Sequence, residues 1–111
     1  MTLQDIIHDI HALSEDLQVY EAKYGILSET FYELYTSGAE PDDDAWVLDW
    51  GDWAGAYKVF LRRREQYRNT IKTVSAQTQS LSDIVKKTAR HESISVASFR
   101  ISKIIASPHP G

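Results

Sequence analysis

The chain has 111 residues, 42% of them hydrophobic and 25% charged, which bounds it to one small domain with a modest core. It contains no cysteine, so disulfides, thiolate catalysis and cysteine-ligated zinc are excluded, and a reducing compartment is permitted. The net charge of −4 conceals a division: residues 1–57 carry thirteen acids and one base, Lys23, whereas residues 58–111 carry eleven bases and three acids. Either the two halves neutralise each other within the fold, or they meet different partners, a second copy head to tail included. No apolar run approaches the roughly 20 residues of a membrane span. The opening Met1-Thr-Leu-Gln-Asp-Ile-Ile-His8 lacks the basic and apolar regions of a signal peptide, so a cytoplasmic protein without membrane contact is expected.

In chain order, Leu3, Ile6, Ile10, Leu13, Leu17, Tyr20 and Tyr24 recur in unbroken steps of three and four. That is three heptads of an apolar seam, and it predicts a first helix over residues 3–24, about 33 Å long. Thr2 is the expected N-cap, with Asp5 in the first turn, and Gly25 the expected C-cap. His8 and His11 fall at heptad positions f and b, away from the seam, and read as solvated surface rather than metal ligands. Ser28 is expected to cap a short second helix, residues 28–37, with Phe31, Leu34 and Tyr35 on its buried edge and Ser37-Gly38 as its stop.

A third helix is expected over residues 42–74. Asp42, Asp43 and Asp44 would sit in its first turn and offset the positive end of the helix dipole; a calcium loop would require alternating acids, a central glycine and a distal glutamate. Trp46, Trp50, Trp53, Tyr57 and Phe60 step by four, three, four and three, and span about 80° of a helical wheel. Arg64, Tyr67, Ile71 and Val74 continue that seam. Beside it runs a small-residue stripe of Val47, Gly51, Ala54 and Gly55. Two readings of the pair of stripes stand. In one, the aromatics pack on the first helix and the small residues receive the second. In the other, the small residues and their aromatic flank receive a different protein, through Trp46, Trp50, Gly51, Trp53, Gly55 and Tyr57.

The outer surface of this helix turns basic after residue 57. Arg62, Arg63, Arg68 and Lys72, with Lys86 and Lys87 further on, are the candidate nucleic-acid contacts. No helix-turn-helix, ribbon or RNP pattern accompanies them. Beyond residue 74 the Ser-Ala-Gln-Thr-Gln-Ser run favours a weak spot at 75–80. A short helix over about 81–90, capped by Ser80 or Ser82, should follow. Ile94-Ser-Val96 and Phe99-Arg-Ile101 alternate like strand residues with no evident partner, which suggests a flexible or partner-ordered tail.

The expected architecture is therefore all-α. It is an antiparallel helical hairpin or small bundle of two long helices with a short one between them, in a helical domain of residues 1–74. A weakly specified C-terminal extension, residues 75–111, follows. There is no nucleophile beside a base, no phosphate loop and no metal cluster in a recognisable motif, so neither an enzyme nor a cofactor is expected.

Lys23-Tyr24-Gly25, then Ser28-Glu29-x-Phe31-Tyr32, Gly38, the acids at 42–44, Asp49-Trp50 and Trp53-Ala54-Gly55-x-Tyr57 carry a family likeness. Over roughly residues 15–68 the chain resembles small helical antitoxin-like proteins of bacteria and archaea, encoded beside a small toxin in toxin–antitoxin pairs. The resemblance implies a non-catalytic protein that binds a cognate toxin and masks its active surface; an acidic surface suits a basic toxin directed at nucleic acid. Residues 75–111 and the Trp50-Gly51-Asp52-Trp53 run depart from that pattern. Two alternatives stand beside it: an autoregulator that binds nucleic acid through the basic half, and a structural homo-oligomer built by pairing the first-helix heptads in trans.

Overall fold

The computed structural model describes residues 1–77, 80–89, 92–94 and 101–103. The chain is mostly helical, with four α-helices among the described residues: α1 (Leu3–Tyr24), α2 (Ser28–Thr36), α3 (Ala45–Gln77) and α4 (Leu81–Ala89). Two short strands, β1 (Glu92–Ile94) and β2 (Ile101–Lys103), pair antiparallel with Ser93 opposite Ser102. The strands meet the alternating segments of the tail only at Ile94 and Ile101, which face each other. The expectation of a partner-ordered tail otherwise lies outside the described residues.

The ends of the helices follow local hydrogen-bonding chemistry. At the start of α1 the Asp5 N–H donates to Thr2 Oγ1 (3.2 Å) and the Thr2 N–H donates to Asp5 Oδ2 (3.0 Å), a reciprocal cap that satisfies two orphan donors. The bond from the Thr2 backbone, foremost, holds the Asp5 carboxyl below the usual carboxylate range. Gly25 ends the helix at φ +78, donating its N–H to the Glu21 carbonyl (2.8 Å).

Two expectations at helix starts are corrected. Ser28 does not cap α2: Leu27 holds the extended N-cap backbone, and Ser28 is the first helical residue, 2% exposed. Asp42–Asp44 do not form the first turn of α3, which starts at Ala45 and runs past 74 to Gln77. Asp43 instead closes a turn before the helix, its Oδ1 accepting the Ala45 N–H (2.8 Å) and its carbonyl the Trp46 N–H (2.9 Å). An aspartate readily bonds its own backbone two residues on, and that local bond outcompetes three more residues of helix. Ser80 caps α4, accepting the Asp83 N–H at Oγ (3.3 Å).

The chain divides into two compact units, Ile10–Arg62 and Met1–Asp9 with Arg63–Gly111, so α1 and α3 each contribute to both. In the second, Leu3 and Val74 are buried with Ile7, Ile71 and Ile84 packed on them, and Ile6 is fully buried. Arg63 Nε donates to Asp9 Oδ2 (2.9 Å) and Arg63 Nη1 to Gln66 Oε1 (3.0 Å). In the first, the buried cluster is Leu17, Phe31, Trp53 and Ala54. Every residue of the predicted α1 seam is buried or half-buried, as three heptads of apolar spacing require. Among the described residues no helix is long and apolar enough to cross a membrane.

The Thr2 cap can be removed without touching either core. Thr2→Ala should lower stability by about 1 kcal/mol, read as an earlier urea midpoint with an unchanged slope.

Candidate protein-interaction surface

The aromatic row of α3 positions everything else in the unit Ile10–Arg62. Trp53 is fully buried. Phe31 of α2 stacks on it with ring centroids 3.8 Å apart and planes 3° apart. Tyr20 and Tyr24 of α1 lie nearly parallel to it at 5.7 and 5.6 Å. Burying one indole contributes about 4–6 kcal/mol before ordering entropy, and each well-placed aromatic pair adds about 0.5–1.5. The indole also needs an acceptor: Trp53 Nε1–H donates to Ser28 Oγ (2.8 Å), and the Ser28 hydroxyl and backbone N–H both donate to Glu21 Oε2 (2.7 and 2.8 Å). This relay explains why Ser28 lies inside α2: its oxygen is committed to the indole rather than to a cap.

This geometry tests the internal reading of α3. Helix α2 does not use the small stripe. It packs on the same aromatic row as α1, through Phe31 on Trp53, Tyr32 on Tyr57 and Tyr35 on Trp50. Of the small residues only Ala54 is buried. Gly51 and Gly55 are exposed, and a Cβ added to either would meet no heavy atom within 4 Å beyond its own helical turn. The internal reading of the small stripe is therefore corrected. A nine-residue helix carrying three aromatics is held by the widest available stacking surface, which is the tryptophan row rather than a glycine groove.

The candidate contact residues consequently separate. Trp53 is core and presents no surface to a partner. Trp50 and Tyr57 are half-buried beneath α2. The buried Trp50 Nε1 has no hydrogen-bond acceptor among the described residues, a cost of about 1–3 kcal/mol that the aromatic packing offsets. Trp46 is 36% exposed and stacks on Trp50 at 5.8 Å. Gly51 and Gly55 remain on the surface, joined by Val47 of the same stripe, 51% exposed, and by Leu48, 78% exposed, which the pattern did not single out.

The candidate nucleic-acid residues separate as well. Arg63 is engaged by Asp9, and Arg68 pairs with Glu65. Lys87 is half-buried, while Arg62, Lys72 and Lys86 are exposed. Two of the six guanidinium or ammonium groups are thus already matched by carboxylates, which reduces what phosphates could claim. His8 and His11 are exposed on α1.

A link that spacing did not reveal joins α1 to α3. Asp49 Oδ2 accepts from Lys23 Nζ (2.6 Å) and from the Tyr24 hydroxyl (2.7 Å). These bonds, Lys23 first, hold the Asp49 carboxyl below its usual range; the same partner raises the Lys23 ammonium. Burial, then the Asp49 bond, raises the Tyr24 phenol. A shallow depression of about 380 Å³ lies beside the link, lined by Asp16, Val19, Tyr20, Lys23, Asp49 and Ala56. Its central charges already neutralise each other. No protein-family model, curated protein or solved structure matches the chain.

Ser28→Ala strips the buried indole N–H of its acceptor and should cost about 1–3 kcal/mol, with a shift in tryptophan emission reporting the disturbed packing. The Asp49 link sets a pH dependence. A depressed carboxyl contributes stability that is present above its unfolded value, about 3.9, and lost as pH falls through the folded value. Urea titrations should therefore show Asp49→Asn trailing the parent at neutral pH and converging with it in acid.

Proposed function

We propose that this chain is a non-catalytic protein-binding module, antitoxin-like in kind, which covers a basic partner protein with the acidic surface of residues 10–62. That unit carries eleven acids against three bases. The observation that carries the reading is the outer side of α2. Leu27, at the N-cap, and Leu34, which was expected on the buried edge of α2 but lies on its outer side, are seven residues and so two helical turns apart and are 67% and 56% exposed. Glu29, Glu33, Glu40 and Asp42, on α2 and the segment after it, are exposed as well. Large apolar side chains rimmed by carboxylates suit a protein contact in which apolar burial supplies affinity and charge steers a cationic partner.

The resemblance to antitoxin-like proteins supports the same reading, with a toxin as the basic partner. In this reading the scaffold is an antiparallel helical hairpin. Inside the unit Ile10–Arg62, the contacts of Tyr24 with Trp46 and of Tyr20 with Trp53 support it. A reducing, cytoplasmic setting accords with the absence of cysteine.

Co-expression with the product of the adjacent gene tests the reading. The two chains should co-purify, and the neighbour should be toxic when expressed alone. Leu27→Ser with Leu34→Ser should weaken the complex about tenfold or more, and added salt should slow its formation. A neighbour that is neither bound nor toxic would sink the proposal.

A further inference from the structure

About 160° around α3 from the aromatic row lies a second row at helical spacing: Asp44, Leu48, Gly51, Gly55, Lys58 and Arg62, in steps of four, three, four, three and four. All six are exposed, and Asp44 stands in the turn that opens the helix. The row is about 27 Å long and lies within the unit Ile10–Arg62. Each glycine costs about 1 kcal/mol of helix stability relative to alanine, and neither is required by a positive φ or by a neighbour among the described residues.

The order of chemistry along this row is self-complementary. A second copy turned end for end brings Gly51 against the partner copy's Gly55, Leu48 against the aliphatic stem of Lys58, and Asp44 against Arg62. A two-fold axis makes each contact twice. Antiparallel helices pair their seam positions in this manner, and glycine at the two central positions lets the backbones approach closely. A parallel copy would instead oppose Asp44 to Asp44 and Arg62 to Arg62, so charge selects the orientation. The residues that would form this interface are distinct from the outer side of α2.

We propose that a second copy of this chain docks antiparallel along Asp44–Arg62, with the two-fold axis at the level of Trp53. The face is apolar and small at its centre, and its opposite charges stand at opposite ends, so a copy of itself satisfies both at once.

Light scattering on the intact chain over a concentration series tests the proposal. The parent should show the mass of two chains and dissociate on dilution. Gly55→Leu should show the mass of one chain with unaltered helical content. Its thermal midpoint, read where the parent is also dissociated, should be no lower, because the side chain enters open space. Asp44→Arg and Arg62→Asp should each weaken pairing about tenfold or more, and the two together should restore it to within about threefold. A parent that stays a single chain at every concentration overturns the proposal. So does a Gly55→Leu chain that still pairs, or a double reversal weaker than either single one. None of these outcomes bears on capture of a basic partner through α2.

Discussion

The unit Ile10–Arg62 depends on one indole. Trp53 has to be covered, because leaving it in water forfeits several kcal/mol, and its N–H has to be paired, because burying it unpaired forfeits a further part. One short helix meets both demands: α2 brings Phe31 onto the ring and Ser28 onto the nitrogen, three residues apart and one helical turn along. The Ser28 oxygen is oriented by Glu21 near the end of α1. Three helices therefore meet at one residue through stacking and a directed chain of hydrogen bonds. Satisfied networks of this kind favour one arrangement over its neighbours, since a shift of α2 by one residue would lose the stack and the bond together.

That constraint has a consequence for surface. Because α1 and α2 both direct their aromatic residues to the same row of α3, Leu48, Gly51, Gly55, Lys58 and Arg62 of the unit Ile10–Arg62 are left exposed. An uncovered helix face that carries Val47 and Leu48 beside two glycines differs from an ordinary solvated face, where alanine or a charged helix former would be more stable. The charges are arranged with comparable economy. Asp49 is engaged by Lys23 and Tyr24, and Arg63 by Asp9. The carboxylates of α2 and of the segment behind it face water.

Many of the residues that stand out in the sequence acquire a physical role here. Lys23, Tyr24, Ser28, Phe31, Tyr32, Asp49, Trp50, Trp53 and Tyr57 are the ones that stack, relay hydrogen bonds or bridge α1 to α3. Such residues speak first for the way these three helices pack. The proposed contact surfaces, Leu27 and Leu34 at and on α2 and Leu48 with its glycines on α3, lie outside the core they build.

Much of the fold was legible because it is local. Steps of three and four placed α1 and the body of α3, and a threonine and a glycine marked the ends of α1, since caps and amphipathic spacing act within a few residues. The start of α3 was missed because the side chain of Asp43 captured the backbone first. The role of Ser28 was missed because a serine that begins a helix looks the same whether it caps or is buried. Spacing alone could show that α3 carried two adjoining stripes, and it could not show which of them α2 would take. That choice compares the packing of Phe31, Tyr32 and Tyr35 on Trp53, Tyr57 and Trp50 with their fit to glycine, a contest between residues fifteen or more positions apart. The sequence by itself determined the helices and the division of charge. Only the tertiary structure decided which tryptophan is core and which glycines face water, because both follow from how α2 packs on α3.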